Sequence, residues 1–142
     1  EFTAQEKNGL AIFKNNCASC HTEPLFTNNE FHNNGLTLDP YLKDFGRMLI
    51  TNKSEDSLKF KVPTLRNIQF TPPYMHDGRF ETLKAVITHY NSGITHSITL
   101  AEDLKNNLEL THKEEVDLLV FLRTLTDKEF LFNNRFSYPH IN

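Results

Sequence analysis

Cys17-Ala18-Ser19-Cys20-His21 constrains this chain more than any other stretch. It reads C-x-x-C-H, the pattern by which a polypeptide attaches a c-type haem. Two thiols add across the two vinyl groups of one haem, so they must lie about one helical turn apart. The adjoining imidazole then sits under the iron as its proximal ligand. The motif uses both cysteines of the chain. Other uses of the pair fit less well. A zinc site wants four ligands and usually a second Cys or His pair, and the remaining histidines show no such spacing. A thioredoxin-like motif wants its cysteines at a strand-to-helix turn, whereas here an amphipathic helical pattern runs straight into Cys17.

The 142 residues suffice for one domain with a real core, so residues 1–142 are expected to form a single unit. Twelve Phe and no Trp suit a chain that buries a flat aromatic macrocycle, although Phe is also ordinary core. A net charge of −3 gives no basic footprint for nucleic acid. No stretch approaches the length of a transmembrane span, and no signal peptide stands at Glu1. Covalent haem attachment takes place on the far side of a bacterial inner membrane or its organelle equivalent. A mature or excised segment in the periplasm is therefore expected.

Thr3-Ala4-Gln5-Glu6 is a capping box and predicts a helix from about Ala4 to Asn15. Leu10, Phe13 and Cys17 repeat at i, i+3, i+7 and deliver the thiols to the core. Gly9 in this helix implies a close helix–helix crossing. Residues 22–63 read as irregular, and Phe26, Phe31, Leu36, Leu38, Phe45 and Leu49 are the expected haem-edge contacts. A second helix is predicted over Glu81–Tyr90, stopped by Asn91-Ser92-Gly93. At ~100° per residue Tyr90 falls within ~20° of Leu83, on the apolar face, and His89 falls on a flank. A short helix over Ala101–Asn107 is conceivable. A second capping box, Thr111 to Glu114, opens the last helix, whose apolar face gathers Val116, Leu119, Val120, Phe121 and Leu122 through Leu125. The Phe- and Asn-rich tail from Asp127 is expected to lie against the surface. The fold class is therefore all-α: a class I cytochrome c-like domain with long irregular haem-wrapping loops.

Three further strings sharpen this reading: Phe60-Lys61-Val62-Pro63-Thr64-Leu65-Arg66-Asn67, Thr71-Pro72-Pro73-Tyr74-Met75-His76-Asp77-Gly78, and Thr82-Leu83. With C-x-x-C-H they resemble the C-terminal haem domain of bacterial di-haem cytochrome c peroxidases and their MauG-type relatives, over nearly the whole chain. The resemblance implies an electron-receiving haem c that serves a peroxidatic haem in an N-terminal domain absent from this chain. It also implies a small redox carrier, a cytochrome c or a cupredoxin, as electron donor. His21 would be the proximal ligand. Tyr90 stands where the family typically carries a distal Met and where MauG-type proteins carry Tyr. Met75 could instead swing toward the iron, or the sixth position could be open. Arg66 and Arg47 are candidates for the haem propionates. Thr71 and Pro73 match carbonyls that help hold an interdomain calcium in the family, a site incomplete in this chain alone. His76 would fix its loop through Asp77 or meet a propionate. His32, His89, His96, His112 and His140 read as surface or loop residues. Three functions remain open: the electron-transfer half of a peroxidase, half of a MauG-type oxidant of a protein or organic molecule, or a stand-alone mono-haem carrier.

Overall fold

The computed structural model describes residues 1–138; His140 lies outside them. Five α-helices occur among the described residues: α1 (Ala4–Asn16), α2 (Met48–Thr51), α3 (Leu83–Ser92), α4 (His112–Thr124) and α5 (Lys128–Leu131). Two short strands, β1 (Phe31–His32) and β2 (Phe60–Lys61), pair antiparallel, with Phe31 opposite Lys61 and His32 opposite Phe60. The class is all-α, as the sequence predicts.

The long helices start where their caps dictate. The Thr3 hydroxyl accepts from the Glu6 N–H at 3.2 Å, and the Glu6 carboxylate accepts from the Thr3 N–H at 2.6 Å. Thr111 and Glu114 repeat this box on α4. Helix α3 begins at Leu83, two residues later than predicted. Thr82 holds an extended φ of −134° and caps the helix through the Ala85 N–H at 3.1 Å. The helix ends with Gly93 as its C-cap. The conceivable helix after Ala101 is a 3-10 turn at Glu102–Leu104.

Helices α1 and α4 cross closely. A Cβ on Gly9 would collide with the Asp117 carbonyl and the Phe121 Cβ, so only glycine allows this approach. The contact also explains a departure from the predicted face of α4. Asp117, Leu118, Phe121 and Leu122 are buried, while Val116 is 36% exposed and Leu119 and Val120 are half-buried. Residues beside the crossing are drawn inward regardless of polarity, which is why Asp117 is buried and Val116 is not. Phe13 and Phe121 meet with ring centroids 5.1 Å apart. Leu65, Ile87, Leu118 and Leu122 complete the buried cluster.

Residues 22–63 are largely irregular, but backbone hydrogen bonds fasten them. The Asn28 N–H donates to the Cys20 carbonyl at 2.8 Å, Val62 to Glu30 at 2.8 Å, Leu58 to Phe45 at 2.9 Å and Arg47 to Lys59 at 2.9 Å. The segment is thus a tied loop system with β1–β2 at its neck. In the tail, Phe132 meets Phe70 edge-on at 6.1 Å, and both remain exposed. Among the described residues no helix is long and apolar enough to cross a membrane.

Gly9→Ala tests the crossing. Alanine is the better helix former by about 1 kcal/mol, yet its methyl meets backbone that cannot step aside. A net loss of about 1–3 kcal/mol is expected from overpacking, read as a lower thermal midpoint. An unchanged or higher midpoint contradicts the close approach.

Candidate haem site

Helix α1 does not stop cleanly; it passes into the cysteine motif. The Cys17 N–H donates to the Phe13 carbonyl at 2.8 Å and the His21 N–H to the Cys17 carbonyl at 2.9 Å. Cys17 to His21 is therefore one more helical turn, which brings both cysteines and the histidine to one cavity of about 400 Å³. That size is in the range of small-molecule and cofactor pockets. Leu83, Val86, Ile87 and Tyr90 of α3 form another wall, and Leu118 and Leu122 of α4 contribute further apolar surface. Val62, Pro63 and Leu65, then Tyr74, Met75 and His76, close the rest. A second depression of about 550 Å³ lies between α3 and Leu36, Thr37 and Arg79. It is more open, and it touches neither cysteine.

The electrostatics of the motif favour a neutral, fixed imidazole. His21 Nδ1 lies 3.0 Å from the Phe26 carbonyl. A carbonyl only accepts, so Nδ1 carries the proton and Nε2 keeps its lone pair for a metal. Burial lowers the His21 pKa, with the Phe26 and Pro63 carbonyls opposing. Burial pushes the Cys17 thiol up to about 12, and nearby Cys20 adds to this. Burial raises Cys20 as well, against the pull of the Ser19 hydroxyl. A redox-active C-x-x-C pair instead has a depressed thiol pKa, so the environment argues against a thioredoxin-like role.

Both candidate distal ligands line the same cavity. Burial pushes the Tyr90 phenol up to about 12; the Asn34 side chain opposes this, and the two cysteines add to it. Tyr90 keeps some accessible surface because that surface faces the cavity. Met75 sits at φ +73°, and its Sδ accepts from Asn34 Nδ2 at 3.5 Å. Thr71 and Pro73 also line the cavity. Among the described residues no three His, Cys, Asp or Glu side chains converge as a metal cage. Two thiols, one neutral imidazole and one phenol around an apolar cavity therefore fit a group that brings its own equatorial donors to the metal. A haem c is such a group.

Several expected contacts fall elsewhere. None of Phe26, Phe31, Leu36, Leu38, Phe45 and Leu49 lines the cavity. Phe26 packs on Phe13 at 5.6 Å, and Phe31 lies under the Arg47 guanidinium at 4.5 Å. Leu36 is buried beside the second depression; Leu38 and Leu49 are exposed. The loop instead presents His32, Asn34 and Phe60–Pro63, the residues in and next to the β1–β2 neck. Two-residue strands leave no readable alternation, so nothing in the pattern marked them.

Arg66 is exposed and away from the cavity, and Arg47 pairs with Asp56 at 3.3 Å. Among the described residues the basic groups on the wall are Lys61, His32, His76 and His21, and Asp103 adds one carboxyl. His32 Nε2 is buried without a hydrogen bond; Glu30 is 3.3 Å away but poorly aligned. Propionate-bearing ligands bring acceptors to such a wall. His76 stacks on Phe60 at 3.6 Å and is 4.0 Å from Asp77, too far for a hydrogen bond. Asp77 instead binds Arg79, Nε to Oδ2 at 2.7 Å, and Arg79 reaches the Thr37 carbonyl at 2.9 Å. Burial alone would raise the Asp77 pKa, but the bonds to Arg79 outweigh it and hold the carboxyl below its ordinary value. His89 is buried, not a surface residue, and its Nε2 donates to the Asn34 carbonyl at 2.9 Å. His96 and His112 are exposed as expected, while His32 is half-buried.

With this geometry in view, the chain is an all-α, cytochrome c-like domain. It is 38% identical over 125 residues to the methylamine utilization protein MauG of Methylophilus methylotrophus, covering 84% of this chain and 36% of the relative. It is 33% identical over 133 residues to cytochrome c peroxidase Ccp of Escherichia coli K12, covering 87% of this chain and 25% of the relative. A solved MauG-like protein associated with microbial copper homeostasis superposes with a TM-score of 0.79 at 33% identity, covering 98% of this chain and 52% of that one. No family model matches the chain. The chain belongs to the di-haem cytochrome c peroxidase/MauG family, and it spans between a quarter and about half the length of these relatives.

Arg79→Met leaves a buried carboxylate short of its partner. A loss of about 2 kcal/mol is expected at neutral pH. Asp77 has a depressed folded pKa, so its share of stability is present above its ordinary value and lost as pH falls through the depressed one. The gap between wild type and variant in urea unfolding should therefore narrow in acid. A gap independent of pH contradicts the role of the pair.

Proposed function

We propose that the chain is one haem c domain of a periplasmic di-haem cytochrome c peroxidase, the electron-transferring half. The convergence of Cys17, Cys20 and His21 on one cavity, with Tyr90 and Met75 on its walls, carries this reading. Cys17 and Cys20 would hold the haem by thioether bonds, and His21 Nε2 would bind iron from the proximal side. Tyr90 is the preferred distal ligand, with Met75 the competing one. When bound, the haem supplies one-electron chemistry.

The protein's share of the work is orientation and exclusion of water. The Phe26 carbonyl holds the His21 ring in one tautomer. Leu83, Val86, Ile87 and Leu118 keep the cavity apolar. As a ligand to ferric iron, Tyr90 would have to give up its hydroxyl proton, because a metal cation favours the phenolate and burial alone does not. Electrons would come from a small carrier, a cytochrome c or a cupredoxin. They would pass to a peroxidatic haem in a domain beyond this chain, where peroxide is reduced to water. The carbonyls of Thr71 and Pro73 would join oxygens of that domain around a calcium ion, since calcium takes six to eight.

A second reading, a MauG-type oxidant of a protein or organic substrate, is favoured by one observation: the phenol of Tyr90 lines the cavity, at the sequence position where the resemblance would place a Met. An anionic oxygen ligand stabilises ferric iron, whereas a thioether favours ferrous iron. A stand-alone carrier is the third reading. A second C-x-x-C-H about one domain upstream would remove it.

Two measurements test the main proposal. The haem-loaded domain, matured in the periplasm, should accept electrons from a reduced carrier but consume peroxide only at background rate. The two-domain protein should turn peroxide over. Peroxide turnover by the isolated domain at the full protein's rate contradicts the proposed division of labour. Ferric and ferrous spectra of Tyr90→Phe and Met75→Leu identify the distal ligand. Tyr90→Phe should convert ferric iron toward high spin, and Met75→Leu should leave the spectrum unchanged; the reverse result assigns Met75.

A further inference from the structure

One wall of the haem cavity is a single layer of chain. Ala101, Asp103, Leu104 and Leu108 line the cavity, while Glu102, Asp103, Lys105, Asn106, Asn107 and Glu109 of the same segment are exposed. In residues 102–109 only Leu104 and Leu108 are apolar. Both are half-buried, and neither is among the hydrophobic residues packed on the core cluster, which Leu110 joins. Their apolar surface is turned to the cavity.

Hydrogen bonds anchor this segment only at its ends. At the first, the Ala101 N–H donates to the carbonyl of the buried Asn33 at 3.1 Å. At the second, Asn91 clamps Leu110: its Oδ1 accepts from the Leu110 N–H at 2.7 Å, and its Nδ2 donates to the Leu110 carbonyl at 3.0 Å. Between the anchors the bonds among the described residues stay local. The Leu104 N–H donates to the Ala101 carbonyl at 3.0 Å, the Lys105 N–H to the Glu102 carbonyl at 3.2 Å, and Lys105 Nζ lies 2.6 Å from the Glu102 carboxylate. A segment with fixed ends, few buried contacts and no bonds to its surroundings opens at low cost.

We propose that residues 102–109 are a strap, hinged at Ala101 and Leu110, that closes Leu104 and Leu108 on the bound haem and keeps water from it. This rests on the haem reading above. A flat apolar group in the cavity gives the two leucines contact area that the rest of the chain does not. That gain holds the strap shut, so haem loading and closure are coupled. The outer face is polar, so opening exposes only the two leucines. The apolar shell around a metal sets its access to water and thereby its potential. Water favours the ferric haem, which carries the greater charge, so an open strap lowers the reduction potential.

Limited trypsin digestion and redox titration of the haem-loaded domain test it. The peptide bond after Lys105 lies in the middle of the strap. Cleavage there follows the population of open strap when reclosing is fast. Leu104→Ser combined with Leu108→Ser removes the apolar contact. Cutting after Lys105, read by mass spectrometry, should then speed up about tenfold or more, the scale of losing the contacts of two half-buried leucines. The reduction potential of the same variant should fall. Asn107→Ser, on the outer face, should change neither. Far-UV circular dichroism and intact mass confirm that the double variant is folded and holds its haem; Leu104→Ala and Leu108→Ala, made singly, repeat the measurement with a smaller perturbation. Unchanged cutting after Lys105 in the folded, haem-loaded variants overturns the strap. Faster cutting with an unchanged potential marks a loose surface loop that does not cover the haem, and overturns it too. A wild-type domain that carries no haem after maturation fails the haem reading itself, and with it the object on which the strap closes.

Discussion

The backbone approach of α1 to α4 at Gly9 places everything that faces the cavity. It fixes the end of α1, and α1 runs directly into the cysteine turn. Phe13, one turn before Cys17, is fully buried against Phe121. Neither thiol can shift without dragging this aromatic contact. On the other side Leu118 and Leu122 link the crossing to Leu65 and Ile87, and so to the helix that carries Tyr90.

The cavity of about 400 Å³ is lined largely by apolar side chains, which have no protein packing partner on that side. A bound macrocycle would supply such contacts. In that case the cofactor would be part of the hydrophobic core, with the polar work left to the loops. Asp77–Arg79–Thr37, Asn33 with Ser97 and Thr99, and the β1–β2 neck hold the loops with hydrogen bonds instead of buried apolar area.

The most legible features in the sequence were those written in local chemistry. The capping boxes at Thr3 and Thr111 set both helix starts, and Gly9 announced the crossing because glycine has little other reason to sit inside a helix. The motif and the apolar face of α3 placed Cys17, Cys20, His21 and Tyr90 around one space. What stayed hidden depends on residues distant in sequence. His89 is buried because Asn34, far along the chain, offers it a carbonyl. The face of α4 turns toward Leu118 because Gly9 admits the Asp117 backbone, a steric fact with no signature within α4. Arg66 and Arg47 are candidates for propionates by charge type alone, and the structure places neither on the cavity wall; Arg47 pairs with Asp56. Asn34 carried no periodic or motif signal of its own.

The central claim is that one haem is held covalently by Cys17 and Cys20. Intact mass spectrometry of the domain matured with a haem-attachment system, before and after acid–acetone extraction, tests it most directly. The account predicts a mass increase of one haem per chain that survives extraction, and peptide mapping that places both thioether bonds at Cys17 and Cys20. Haem released by the extraction, or free thiols at both positions in fully matured protein, would contradict it.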